Sequence, residues 1–204
     1  NGNDAHWSNR EVNQPFFSVF NFDVTHESKM WLHRDKPLTV DPKKVPLPPY
    51  FPDTETVRND VARNYSNIEL LDQMVGELIL KLKADNLFDN TYIFFFSDHG
   101  GPLPRGKRSH YESGLKVPLI IRDPYIKSKI FVEEPVSFVD FAPTILSLAG
   151  ISIPEHFQGI PFLGDKKSEK QRDYIFGTGD RFDETYDRVR SVISDEFIYV
   201  KNYH

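Results

Sequence analysis

One run limits the possible folds of this chain more than any other: Tyr92-Ile93-Phe94-Phe95-Phe96, closed by Ser97-Asp98-His99-Gly100-Gly101. Five apolar or aromatic side chains in succession leave no face for water. That is the pattern of a strand buried on both faces of a parallel sheet, not the alternation of a half-exposed one. In open α/β sheets, ligands collect beyond the carboxyl ends of the strands. An acid and an imidazole therefore stand where a site is expected, and both are metal-ligating types.

The rest of the chain supports a globular reading. Its 204 residues suffice for one sizeable domain or slightly more, and 39% are hydrophobic. A formal net charge of −5 argues against a global nucleic-acid footprint. No cysteine is present, which excludes disulfides, thiolate metal sites and a cysteine nucleophile in this chain. No apolar stretch approaches the length of a membrane span. The opening Asn1-Gly2-Asn3-Asp4 lacks an initiator methionine, so a processed chain or an excised piece is expected.

The order of patterns predicts an α/β body. Asn1 to Asn13 reads as loop, and Pro15 to Phe22 as a buried strand that ends at Asp23-Val24-Thr25-His26-Glu27. Lys36 to Pro52 holds six of the fifteen prolines and reads as an extended arm lying on the domain. Asp53 and Thr54 are good helix N-cap types. A long helix to about Lys83 follows them, with Val61, Ile68, Leu71, Val75, Leu78 and Leu82 forming one stripe. Val117 to Ile121 is a further short strand, and Phe138 to Leu148 a helix ended by Gly150. After Asp173 the pattern changes to short strands, with Ser194-Asp195-Glu196 as a tight hairpin connection. A division into 1–165 and a smaller antiparallel subdomain from 166–204 follows.

Three clusters carry possible chemistry. Asp98 and His99 are two donors for a divalent cation, although the bland alternative is a strand-end acid capping a turn. Arg105-Gly106-Lys107-Arg108, followed by Ser109-His110, lies in the loop after them. Cations beside a metal site attract an anion, and glycines let backbone approach it. The commoner reading of such a cluster is a solvated charge run. His26 follows the first expected strand. If the two strands are neighbours in one parallel sheet, His26 and Asp98 leave it at the same edge, where an imidazole can protonate a leaving group. Asp72 and Asp140 read as structural acids, on a helix edge and at an N-cap respectively.

Taken together and in order, these segments resemble the type I sulfatases of the alkaline-phosphatase-like superfamily. The resemblance rests on Gln14 to Phe22 with Thr25-His26, on Asn90 to Gly100, and on Gly106-Lys107 with Tyr111-Glu112-Ser113-Gly114 and Val117-Pro118-Leu119-Ile120. Val139 to Gly150 with Gln158-Gly159 extends it, so that it spans most of residues 14–204. It implies an alkaline-phosphatase-like, mostly parallel sheet flanked by helices, followed by the antiparallel subdomain. It also implies that Asp98 and His99 hold a divalent cation, usually calcium in such enzymes. Lys107 would contact the sulfate, His26 would sit near the leaving-group oxygen, and Arg105, Arg108 and His110 would face a sugar anion. A histidine at position 99 also occurs in related phosphodiesterases and phosphonate hydrolases.

One element of that pattern is missing. Sulfatases carry a Cys- or Ser-x-Pro-x-Arg segment whose first residue becomes formylglycine, the nucleophile. Here Ser152-Ile153-Pro154 leads to Glu155-His156 instead. The nucleophile is thus expected upstream of residue 1, in the N-terminal half of the same protein, and this chain alone is expected to be inactive. The substrate class implied is a sulfated carbohydrate, and the compartment periplasmic, secreted or lysosome-like. A phosphodiesterase or phosphonate monoester hydrolase is one alternative. A non-catalytic anion- or glycan-binding remnant is another.

Overall fold

The computed structural model describes residues 6–170 and 172–203. The first five residues of the expected N-terminal loop lie outside that range. Within it the chain divides after Asp85 into two compact units.

The N-terminal unit is built on one long helix. The elements are α1 (Ser28–Leu32) and α2 (Glu55–Ala84). Thr54 caps α2, its hydroxyl accepting from the Val57 amide, as the sequence predicts. The Pro-rich arm lies along the helix. The buried Arg63 side chain of α2 donates to the carbonyls of Lys36 and Pro37, and the Thr39 amide donates to the Ser66 hydroxyl at 3.1 Å. The contact set is therefore partly polar: Val61, Ala62, Arg63, Ser66, Asn67 and Leu82 are buried on α2, whereas Ile68 of the expected stripe is 44% exposed. At the far end, the buried Trp7 indole donates to Asp85 at 2.6 Å and packs on Phe16 and Phe20.

Pro15 to Phe22 does not form the strand expected of it. It carries no regular secondary structure and no ladder, and Phe17 and Val19 are 71% and 65% exposed. An apolar run makes a strand only when another strand completes its hydrogen bonds, and none does so here among the described residues.

The C-terminal unit holds every strand described. They are β1 (Ile93–Phe96), β2 (Leu119–Arg122), β3 (Ile175–Phe182), β4 (Thr185–Ile193) and β5 (Ile198–Asn202), with α3 (Glu112–Leu115) and α4 (Phe141–Leu148) between them. β1 pairs antiparallel with β2, from Ile93 opposite Arg122 to Phe96 opposite Leu119. The parallel neighbours expected for β1 do not occur among the described residues, and Phe96 is 41% exposed. One face of β1 is covered by rings: Phe96 and Phe141 stand edge-on at 4.9 Å, with Phe94, Phe138 and Phe162 around them. β3, β4 and β5 form the antiparallel sheet predicted after Asp173, joined by the Ser194–Phe197 turn.

α4 is tied to the chain that follows it through a polar face. Asp140, Thr144 and Ser147 fall at helical spacing, and all three are buried. Their oxygens accept the amides of Ile160 (2.6 Å), Phe162 (3.0 Å) and Lys166 (2.9 Å). Asp140 also completes a capping box with Ser137 and pairs with Arg172. Burial pushes its carboxyl up, but the Arg172 guanidinium and the Ile160 and Ser137 amides outweigh that and hold it below the usual carboxylate range. No described helix is long and apolar enough to cross a membrane.

Candidate active site

β1 delivers Asp98 and His99 to the start of a loop that runs to α3. The loop is folded tightly on itself. The Gly100 amide donates to the Gly114 carbonyl at 2.9 Å, and the Lys107 amide to Gly101 at 2.9 Å. A Cβ at Gly100 would run into the Ser113 carbonyl, and one at Gly106 into that of Gly101. At Gly114 it would strike the carbonyls of Gly106 and Ser109. Glycine is thus required at these three positions for lack of room. Arg105 and Arg108, flanking Gly106-Lys107, adopt left-handed backbone with φ of 66° and 70°. Each costs about 1–2 kcal/mol for a side chain with a Cβ, so surrounding contacts must hold them there.

Asp98 and His99 are arranged as donors. Asp98 has an 83% exposed side chain, and His99 Nε2 lies 3.7 Å from its Oδ1. His99 Nδ1 is 2.8 Å from the Gly100 carbonyl. A carbonyl can only accept, so Nδ1 carries a proton, and in the neutral ring Nε2 is the nitrogen left to bind a cation beside the carboxylate. Two donors side by side fit two positions around a divalent cation. No group of three or more acidic or imidazole side chains gathers among the described residues.

The basic cluster is engaged with its surroundings. The Arg105 guanidinium lies 4.4 Å over the Tyr111 ring, and the Ser113 hydroxyl donates to the Arg105 carbonyl. Arg108 Nε donates to Asp183 at 2.8 Å, and its guanidinium stands 5.8 Å from the Phe182 ring. His110 Nδ1 lies 3.0 Å from the Ser191 hydroxyl. Burial holds the His110 imidazole below its usual range, with nearby Asp187 opposing and Arg190 reinforcing the shift. Asp183, Ser191 and the Gly177/Gly179 pair were not singled out by sequence reasoning. Glycines at alternate strand positions, which leave one face of β3 bare, were the available signal.

His26 belongs to the N-terminal unit, in the turn before α1. Its Nδ1 accepts from the Ser28 amide at 3.2 Å, so the neutral ring carries its proton on Nε2. Asp23, in the same turn, pairs with Lys29 at 2.8 Å, and this partner lowers its carboxyl below the usual range. A cleft of about 260 Å³ in this unit, lined by Met30, Arg34, Leu38, Asn59, Asp60 and Arg63, contains none of the expected site residues.

Comparison with known proteins places this geometry in context. The family model described as Sulfatase matches residues 5–151. A second, described as N-sulphoglucosamine sulphohydrolase, C-terminal, matches residues 105–202. The ulvan-active sulfatase of Formosa agariphila is 40% identical over an alignment taking in 98% of this chain and 39% of that protein. The human N-sulphoglucosamine sulphohydrolase is 29% identical over 81% of this chain and 36% of its own length. Among solved structures, a phosphonate monoester hydrolase from Silicibacter pomeroyi superposes with a TM-score of 0.61 at 26% identity, covering 80% of this chain and 37% of that one. The chain spans about two fifths of the length of these relatives.

Proposed function

This chain belongs to the sulfatase family, and on that premise we propose that it supplies part of the active site of a sulfuric ester hydrolase acting on a sulfated carbohydrate. The observation that carries the reading is the loop after β1, in which a carboxylate, an imidazole and Lys107 are held on one glycine-locked turn.

Membership implies a metal ion and a formylglycine in general terms. Asp98 and His99 are proposed to hold two positions around a divalent cation, the Asp98 carboxylate as a hard ligand and the His99 imidazole as a borderline one; calcium is the ion that the resemblance to sulfatases implies. Bound there, the cation would polarise the sulfate oxygens. Lys107 holds the sulfate and stabilises charge on the bridging oxygen as the ester breaks. His26, once protonated, gives the leaving oxygen the proton on Nε2 and returns to the neutral ring. Arg105 and Arg108 form the basic rim of the anion's approach, with His110 behind them. The nucleophile is proposed to come from a segment outside this chain, which has no cysteine and no Ser-x-Pro-x-Arg. An export or lysosome-like route and the 1–165/166–204 division remain part of this proposal.

The likeness to a phosphonate monoester hydrolase makes phosphorus esters the second reading. Turnover of an aryl sulfate, an aryl phosphate diester and a phosphonate monoester by the whole protein separates the two. Higher kcat/KM for the sulfate is expected. A preference of many fold for either phosphorus ester would overturn the assignment.

A further inference from the structure

We infer that the β3–β4 hairpin is a positioning element for Lys107, acting through Arg108 and His110. The inference rests on the proposed contact between Lys107 and the sulfate. Lys107 lies between two sets of ties. On the β1 side its amide donates to Gly101 at 2.9 Å. On the other side, Arg108 reaches Asp183 at the hairpin turn, 75 residues away, and His110 reaches Ser191 on β4, 81 residues away.

The hairpin is shaped to receive this loop. β3 carries Gly177 and Gly179 on one face, and the His110 ring lies against both. A Cβ at Gly179 would stand 2.9 Å from His110 Nε2, and one at Gly177 3.4 Å from Nδ1. Only a face without side chains admits an imidazole this close to the strand backbone. Asp183 itself has φ of 50°, so the turn presents its carboxylate from a left-handed residue, a conformation that aspartate and asparagine tolerate best. Arg108 is likewise left-handed. A residue in that region keeps its conformation when its surroundings over-determine it, and here both of its neighbours in the contact are fixed by the hairpin.

A stabilising role alone predicts something different. The Arg108–Asp183 pair is partly exposed, with side chains 27% and 60% accessible. Such pairs contribute little to stability, whereas a small displacement of a catalytic group has a large effect on rate. Asp183→Asn keeps the left-handed turn and removes the charge; Gly179→Ala closes the slot. Both variants are tested in the whole protein by amide exchange of residues 103–111 and by kcat and KM on 4-nitrophenyl sulfate. Faster exchange in that segment, a kcat reduced about tenfold or more, a KM little changed and an unmoved unfolding midpoint for Asp183→Asn are expected. Asp183→Glu should restore part of the loss. Wild-type exchange and wild-type kcat in both variants would overturn the inference. If Lys107→Ala proved fully active while exchange still rose, the catalytic assignment of Lys107 would fail and the loop–hairpin tie would stand.

Discussion

Asp140 is the residue on which the C-terminal unit depends most visibly. Its side chain is 3% exposed and is satisfied by two amides and one guanidinium. Replacing it with asparagine leaves the Arg172 charge half-buried without its counter-ion, so Asp140→Asn should lower unfolding free energy by about 3–5 kcal/mol at pH 7. Its carboxyl lies below the usual range when folded, so the unfolded chain binds the proton more readily. The stabilisation is complete above the ordinary carboxylate value, near pH 4, and is lost as pH falls through the lower folded value. Urea midpoints measured from pH 7 down to pH 3 should therefore fall less steeply in Asp140→Asn than in the parent. The sequence reading puts Asp140 at the N-cap itself; in the structure Ser137 is the cap and Asp140 its partner three residues on, accepting the Ser137 amide. Arg172 was not legible: a partner 32 residues away leaves no local pattern.

At the scale of elements, two glycines of the same chain should respond oppositely to one substitution. Gly114 is enclosed by carbonyl oxygens, and a methyl group there forces the loop open. Gly114→Ala should destabilise by about 1–3 kcal/mol, as overpacking does. Gly76 lies within α2 with nothing near the position of its Cβ. Gly76→Ala should stabilise by about 0.5–1 kcal/mol, because alanine restricts the unfolded chain and suits a helix. Thermal unfolding of the two variants checks both signs. The elements themselves were legible where the information is local. The cap at Thr54 and the period of α2 gave the long helix, and alternation with a tight turn gave β4 and β5. Pro15 to Phe22 shows the opposite case, since an apolar run cannot say whether a partner strand exists. The antiparallel partner of β1 was equally invisible, because Phe94 to Phe96 reads the same beside any neighbour.

For the whole molecule, most of the candidate site could be read in the sequence because its members are close together along the chain. Asp98, His99 and Lys107 fall within ten residues, on one loop. What could not be read was the support from the β3–β4 hairpin, which arrives from a distant part of the chain and leaves only Gly177 and Gly179 as its mark. In the proposed reaction Lys107 acts on charge developing in the transition state of sulfate-ester hydrolysis. The most direct test is Lys107→Ala in the whole protein, read as kcat/KM on an aryl sulfate. Circular dichroism and the unfolding midpoint would confirm that the fold is kept. Loss of about 10²–10³-fold, the scale of removing one transition-state donor, is predicted. A well-folded Lys107→Ala protein with the parent's kcat/KM would contradict it.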